Sequence, residues 1–172
     1  MNSQLRMGFA HVLLLLGVTG LPADELKIGE TQPPPFHTES VRGKVVWLGA
    51  GLKDLFQITT VPESQQSTLA IQTEQGHLLP LAEDLRGRSF RTDERLRGKQ
   101  MELFVRRYGK HPFLQVLRIY ELQDEKKYQV DYWCDVCAIV MFEKGPCACC
   151  QDDNRLRLQI VDAQPKNADP DR

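Results

Sequence analysis

Five cysteines are the residues in this 172-residue chain whose type and spacing point most directly to chemistry, and all lie between Cys134 and Cys150. Cys134 and Cys137 form one C-x-x-C, and Cys147 and Cys150 form a second with Cys149 inside it. Nine residues separate the two pairs. A C-x-x-C turn can aim both sulfurs at one point, and two such turns joined by a short hairpin bring four sulfurs into a tetrahedron. Ala138 to Phe142 reads as one arm of that hairpin, and Glu143-Lys144-Gly145-Pro146 as its turn. The pattern is that of a structural zinc site ligated by Cys134, Cys137, Cys147 and Cys150, with a spacer shorter than the ~15–20 residues of the commonest zinc ribbons. Cys149 is then an alternative ligand or a free thiol.

Two other uses of the same residues stand beside zinc. In an oxidising compartment, five cysteines yield two disulfides and one free thiol, with Cys149 and Cys150 each needing a distant partner. Soft thiolates also suit Cu(I), and Met141 is close in sequence. A dithiol oxidoreductase would carry C-x-x-C beside a βαβ pattern, which the sequence lacks. A c-type haem site would have His where Ala138 stands.

A second group of residues is basic. Between Leu85 and Arg107 there are eight basic residues against three acidic ones, in a chain whose net charge is −1. Arg88, Arg91, Arg95 and Arg106, interleaved with Phe90, Phe104 and Tyr108, would suit a groove for a polyanion or an acidic saccharide. A solvated surface on which the arginines pair with Glu83, Asp84, Asp93 and Glu94 accounts for the same composition. The near-neutral total excludes wholesale nucleic-acid binding, which shows as a basic excess. No Gly-x-Ser-x-Gly, phosphate-binding glycine loop or His-Glu-x-x-His occurs, so no catalytic residue is assigned. His37, His77 and His111 each lie beside a turn or proline and read as surface residues.

The elements that must position these groups are mostly strands. Lys44–Leu48 is β-branched and aromatic, and Thr68–Thr73 and His77–Leu81 read as a hairpin around Glu74-Gln75-Gly76. Met101, Leu103 and Val105 alternate with polar or exposed neighbours. Phe113–Leu122 changes phase between Val116 and Leu117, which predicts a bulge or burial on both faces. Lys127–Tyr132 and Arg155–Ile160 alternate cleanly. Short helices are predicted over Gly51–Gln57 and Thr92–Arg97, the latter with Thr92 as N-cap and Gly98 as its end. The fold class is mainly β: a small Greek-key barrel of the oligonucleotide/oligosaccharide-binding (OB) type with one or two short helices, or alternatively a β-sandwich.

At the N-terminus, Arg6, the apolar run Met7–Val18 and the small residues Gly20 and Ala23 occur in the order of a signal peptide. The run is too short to span a bilayer, which takes about 20 residues. Residues 1–23 are therefore read as a leader, 24–40 as a Pro-rich linker, 41–161 as one β domain containing a Cys-rich clasp at 133–151, and 162–172 as a disordered tail. The expected location is outside the cytoplasm, periplasmic or secreted, with no membrane span after cleavage.

Val41–Leu158 resembles an uncharacterised family of exported bacterial proteins. The resemblance is carried by Gly43-Lys44-Val45-Val46-Trp47-Leu48, by Gly87-Arg88-Ser89-Phe90-Arg91 with Asp93-Glu94-Arg95-Leu96, and by Asp131-Tyr132-Trp133-Cys134-Asp135-Val136-Cys137-Ala138-Ile139 with Cys147-Ala148-Cys149-Cys150-Gln151. It implies no activity, but it treats barrel and clasp as one unit. The functional expectation is an exported, non-enzymatic binding module with a structural four-cysteine metal site. The alternatives are a thiol protein that handles copper or zinc or performs redox chemistry, and a polyanion-binding domain. The sequence assigns no partner; an envelope protein and an anionic ligand are the two kinds compatible with it.

Overall fold

The structure, a computed structural model, describes residues 34–161. The leader, most of the Pro-rich linker and the tail lie outside the described residues. Eight strands form one antiparallel sheet: β1 (Phe36–Trp47), β2 (Leu69–Thr73), β3 (Leu78–Pro80), β4 (Gln100–Tyr108), β5 (Leu114–Gln123), β6 (Lys126–Cys134), β7 (Ile139–Met141) and β8 (Arg155–Ile160). Two short helices accompany them, α1 (Leu48–Phe56) and α2 (Ser89–Thr92). Among the described residues no helix is long and apolar enough to cross a membrane.

The long first strand is the hub of the sheet. Its second half pairs with β2 and its first half with β4, while Gly43 and Lys44 pair on both sides. A Cβ at Gly43 would stand 2.1 Å from the backbone oxygen of Gln72, so only glycine lets the two strands approach here. β1 begins at Phe36, inside the stretch read as linker, because Phe36 to Ser40 find backbone partners in Phe104 to Tyr108.

The mainly β expectation is met, but the sheet is not a closed barrel. The order β3-β2-β1-β4-β5 folds back until β3 and β5 meet, yet they share only one parallel bridge, Leu81 to Leu114. The ladder fails there because β3 is three residues long and ends on Pro80, which has no N–H to donate. The core is the inner face of these strands, with Val45, Leu69, Ile71, Leu103 and Val105 fully buried and Phe90 of α2 inserted among them.

Local features follow the sequence pattern with two exceptions. In β5 the predicted bulge is present: Phe104 pairs with Arg118 and Val105 with Val116, leaving Leu117 unpaired. The helix predicted over Thr92–Arg97 is instead a break. α2 ends at Thr92, and Asp93 caps a separate 3-10 turn at Glu94–Leu96 by accepting from the Arg95 N–H at 3.1 Å. Asp93 displaces Thr92 as cap because its extended backbone leaves the carboxylate facing the next turn's N–H groups. α1 covers the first predicted helix, Gly51–Gln57, but starts three residues earlier, at Leu48, and ends one residue sooner, at Phe56.

Candidate metal centre

β6 delivers the first candidate ligand, Cys134. Along a strand alternate residues share a face, and Val130, Tyr132 and Cys134 are all buried on the core side. β5 and β7 pair with β6 at successive stretches, Lys126–Val130 and Tyr132–Cys134. β8 overlaps both stretches, pairing with Tyr128 to Trp133, and so occupies the opposite edge. Cys134 thus lies at the end of the strand that both arms of the clasp must grip.

The two C-x-x-C segments adopt the same turn. The Ala138 N–H donates to the Cys134 carbonyl at 2.9 Å, and the Gln151 N–H donates to the Cys147 carbonyl at 3.0 Å. Ala138 and Gln151, each just after the second cysteine, both have left-handed backbone, with φ of 53° and 64°. In each turn an N–H also reaches the leading sulfur: Cys137 N–H to Cys134 Sγ and Cys149 N–H to Cys147 Sγ, both 3.4 Å. Asn154 fixes the loop that leads into the second turn by accepting from the Gly145 N–H at 3.2 Å and donating to the Glu143 carbonyl at 2.9 Å.

These turns bring Cys134, Cys137, Cys147 and Cys150 together, with the four sulfurs within 4.8 Å of one another. Zn–S bonds of about 2.3 Å require a tetrahedral S···S edge of about 3.8 Å. The four positions therefore fit a tetrathiolate metal ion. Cys134 and Cys147 are fully buried, while Cys137 and Cys150 are half-buried. The disulfide alternative finds no bonded pair: all five cysteines are free, and Cys134 and Cys150, 3.4 Å apart at sulfur, exceed the disulfide bond length of about 2.05 Å. Cys149 is exposed and outside the four-sulfur group.

The clustered sulfurs shift one another's protonation in opposite directions. N–H groups of Cys150 and Cys149 aim at Cys147 and hold its thiol at about 7, below the ordinary value. The Cys137 thiol is pushed far up by the crowded Cys150 and Cys149 thiols, with burial adding to the shift. At Cys134 the Cys137 N–H favours the thiolate, but burial and the neighbouring Cys150 and Cys147 thiols outweigh it. Four sulfurs this close cannot all ionise unless a cation joins them.

The arginines of the basic stretch do not assemble into one groove. Arg88 pairs with Glu143 at 3.1 Å. Arg91 chelates Glu83 and donates to the Gln66 and Ser67 carbonyls. Arg95 chelates Asp93. Arg106 lies on β4, stacked over Phe36 at 4.7 Å, apart from the loop that carries the other three. Arg91 and Arg95 do line a common open depression, but their companions are Arg97 and Lys144, which the spacing of the arginines did not single out.

The chain matches no known family model, and no curated protein or solved structure is significantly similar to it.

Proposed function

We propose that this protein is a non-enzymatic interaction module, held outside the cytoplasm, whose sheet is locked at one end by a structural zinc ion. The observation that carries this reading is the four-sulfur group at the end of β6, built by two turns of the same hydrogen-bonded form. Four thiolates satisfy a tetrahedral ion and leave no open position for substrate, as in a structural rather than a catalytic zinc site. Zinc would complete the ties between β6, β7 and the hairpin that leads into β8, and metal binding would be coupled to folding of the clasp. Location outside the cytoplasm rests on the leader-like residues 1–23.

Metal analysis with thiol titration tests it. One zinc per chain, one thiol titrating in the native state and five after denaturation with chelator are expected. Absence of metal with five native thiols, or two disulfides with one thiol, would overturn it. A second reading, metal handling, draws on the exposed Cys149 beside the site. It predicts rapid transfer of the ion to a competing chelator and slowed transfer in Cys149→Ser.

A further inference from the structure

Beside the clasp lies an open depression of 340 Å³ lined by the continuous segment Arg91–Arg95, by Arg97 and by Lys144. Its charge is unevenly committed. Arg91 is neutralised by Glu83, which approaches to 2.5 Å. Asp93 is buried and consumed by Arg95 and by the Tyr132 hydroxyl. Arg97 spends one nitrogen on the Phe90 and Arg91 carbonyls and has no carboxylate partner among the described residues. Lys144 is exposed and likewise without one. Two uncommitted cations therefore face a single uncommitted carboxylate, that of Glu94, which has no ion pair among the described residues.

We propose that this depression is an oxyanion-binding site, for a phosphate or sulfate group, completed by a lysine that the cysteine clasp delivers. Guanidinium and ammonium groups supply the charge-assisted hydrogen bonds that such an anion takes. Arg91 and Arg97 are also held in place from below by the Trp47 ring, which they approach to 4.8 and 5.2 Å. Lys144 owes its place to the clasp. Its loop is gripped on one side by Phe142, stacked under Arg86 at 4.0 Å, and by Glu143, paired with Arg88. On the other side it is gripped by Asn154, which bonds Glu143 and Gly145, and by Cys147 three residues on. On the zinc reading the ion would add a further hold on the loop at Cys147, beyond the Cys147 N–H bond to the Asp152 carbonyl at 2.7 Å, so removing it is expected to loosen the loop and weaken the anion site. This dependence rests on the zinc reading above, whereas the site itself does not.

The test is titration of the full metal-loaded protein with inorganic phosphate and with a sulfated oligosaccharide, read by calorimetry and by Trp47 fluorescence. Saturable binding is expected, weakened about tenfold by Arg97→Gln and by Lys144→Gln, strengthened by Glu94→Gln and unchanged by Lys110→Gln, an exposed charge elsewhere. Equal affinity for both probes marks the oxyanion alone as the ligand; tighter saccharide binding marks it as carried on a sugar. No saturable binding, or equal losses in Lys110→Gln and Lys144→Gln, would overturn the site. Chelation should weaken phosphate binding to the level of Lys144→Gln while leaving Lys144→Gln itself unaffected. Unchanged affinity after the ion is removed would overturn the dependence. A protein that never contains metal but binds phosphate through Arg97 and Lys144 would sink the zinc reading and keep the site.

Discussion

Asp93 accepts a 2.9 Å hydrogen bond from the Tyr132 hydroxyl, joining two residues 39 apart in sequence and both almost wholly buried. The bond links the cap of the 3-10 turn at Glu94–Leu96 to the strand position two residues before Cys134. It places the basic loop and the cysteine clasp on one mechanical unit.

Tyr132→Phe removes this bond with little change of shape. Asp93 keeps its bonds to the Arg95 N–H and guanidinium, so the charge is not abandoned. A loss of about 1.5–3 kcal/mol is expected, the range for hydrogen bonds to charged groups, measurable as a lower midpoint in urea with unchanged slope. A loss below about 0.5 kcal/mol would show that the bond does not couple the two elements.

The same carboxylate sets an acid limit on stability. Bonding to Arg95 is the main cause that holds Asp93 at about 2, with Tyr132 adding to it against the opposing effect of burial. Its folded value lies below the unfolded value of about 3.9, so its contribution is complete above about pH 4 and is lost as pH falls through 2. The contribution is about 2 kcal/mol. Unfolding free energies measured from pH 5 to pH 2 should fall along this curve, and Asp93→Asn should lose that part of the slope.

On the zinc reading proposed above, removing the ion should cost more than any single surface change. Cys134→Ser deletes a fully buried sulfur of the four-sulfur group at the end of β6; on the zinc reading it is expected to unfold the clasp, with loss of zinc and a lower melting temperature. Chelator should reproduce the effect in the unmodified chain, and acid should do so as the thiolates protonate. Cys149→Ser, outside the four-sulfur group, should keep both metal content and melting temperature. Equal damage from both serine variants would place Cys149 among the ligands.

The β5–β6 hairpin carries a correctable strain. Asp124 and Glu125 both sit at positive φ, 47° and 62°, as a two-residue hairpin turn of mirror-image form requires. Glutamate tolerates that region poorly, and glycine does not resist it. Glu125→Gly is expected to raise stability by about 1 kcal/mol, seen as a higher urea midpoint without change in metal content.

Much of the framework was legible along the chain because strands announce themselves by period two. The alternation in Lys127–Tyr132 and Arg155–Ile160 located β6 and β8, and the broken alternation at Leu117 located the bulge. The pairing within each C-x-x-C was legible for the same kind of reason: its geometry is local, so spacing brings Cys134 near Cys137 and Cys147 near Cys150. Thr92 misled because capping depends on which residue leaves the helix in extended backbone, and Asp93 does so when its carboxylate is drawn to Arg95 and Tyr132.

The sequence by itself determined the local matters: which segments are strands, where the alternation breaks, and that two C-x-x-C turns lie within one short stretch. Tertiary structure decided everything that joins distant residues. It opened the barrel at Pro80, where a missing N–H stops the ladder. It left Cys149 outside the group of four and scattered the predicted arginines onto separate partners. It also brought Lys144 beside Arg97, two charges 47 positions apart. Local backbone geometry repeats along a chain and can be read from it; the meeting of side chains depends on how the sheet folds back on itself, which no spacing records.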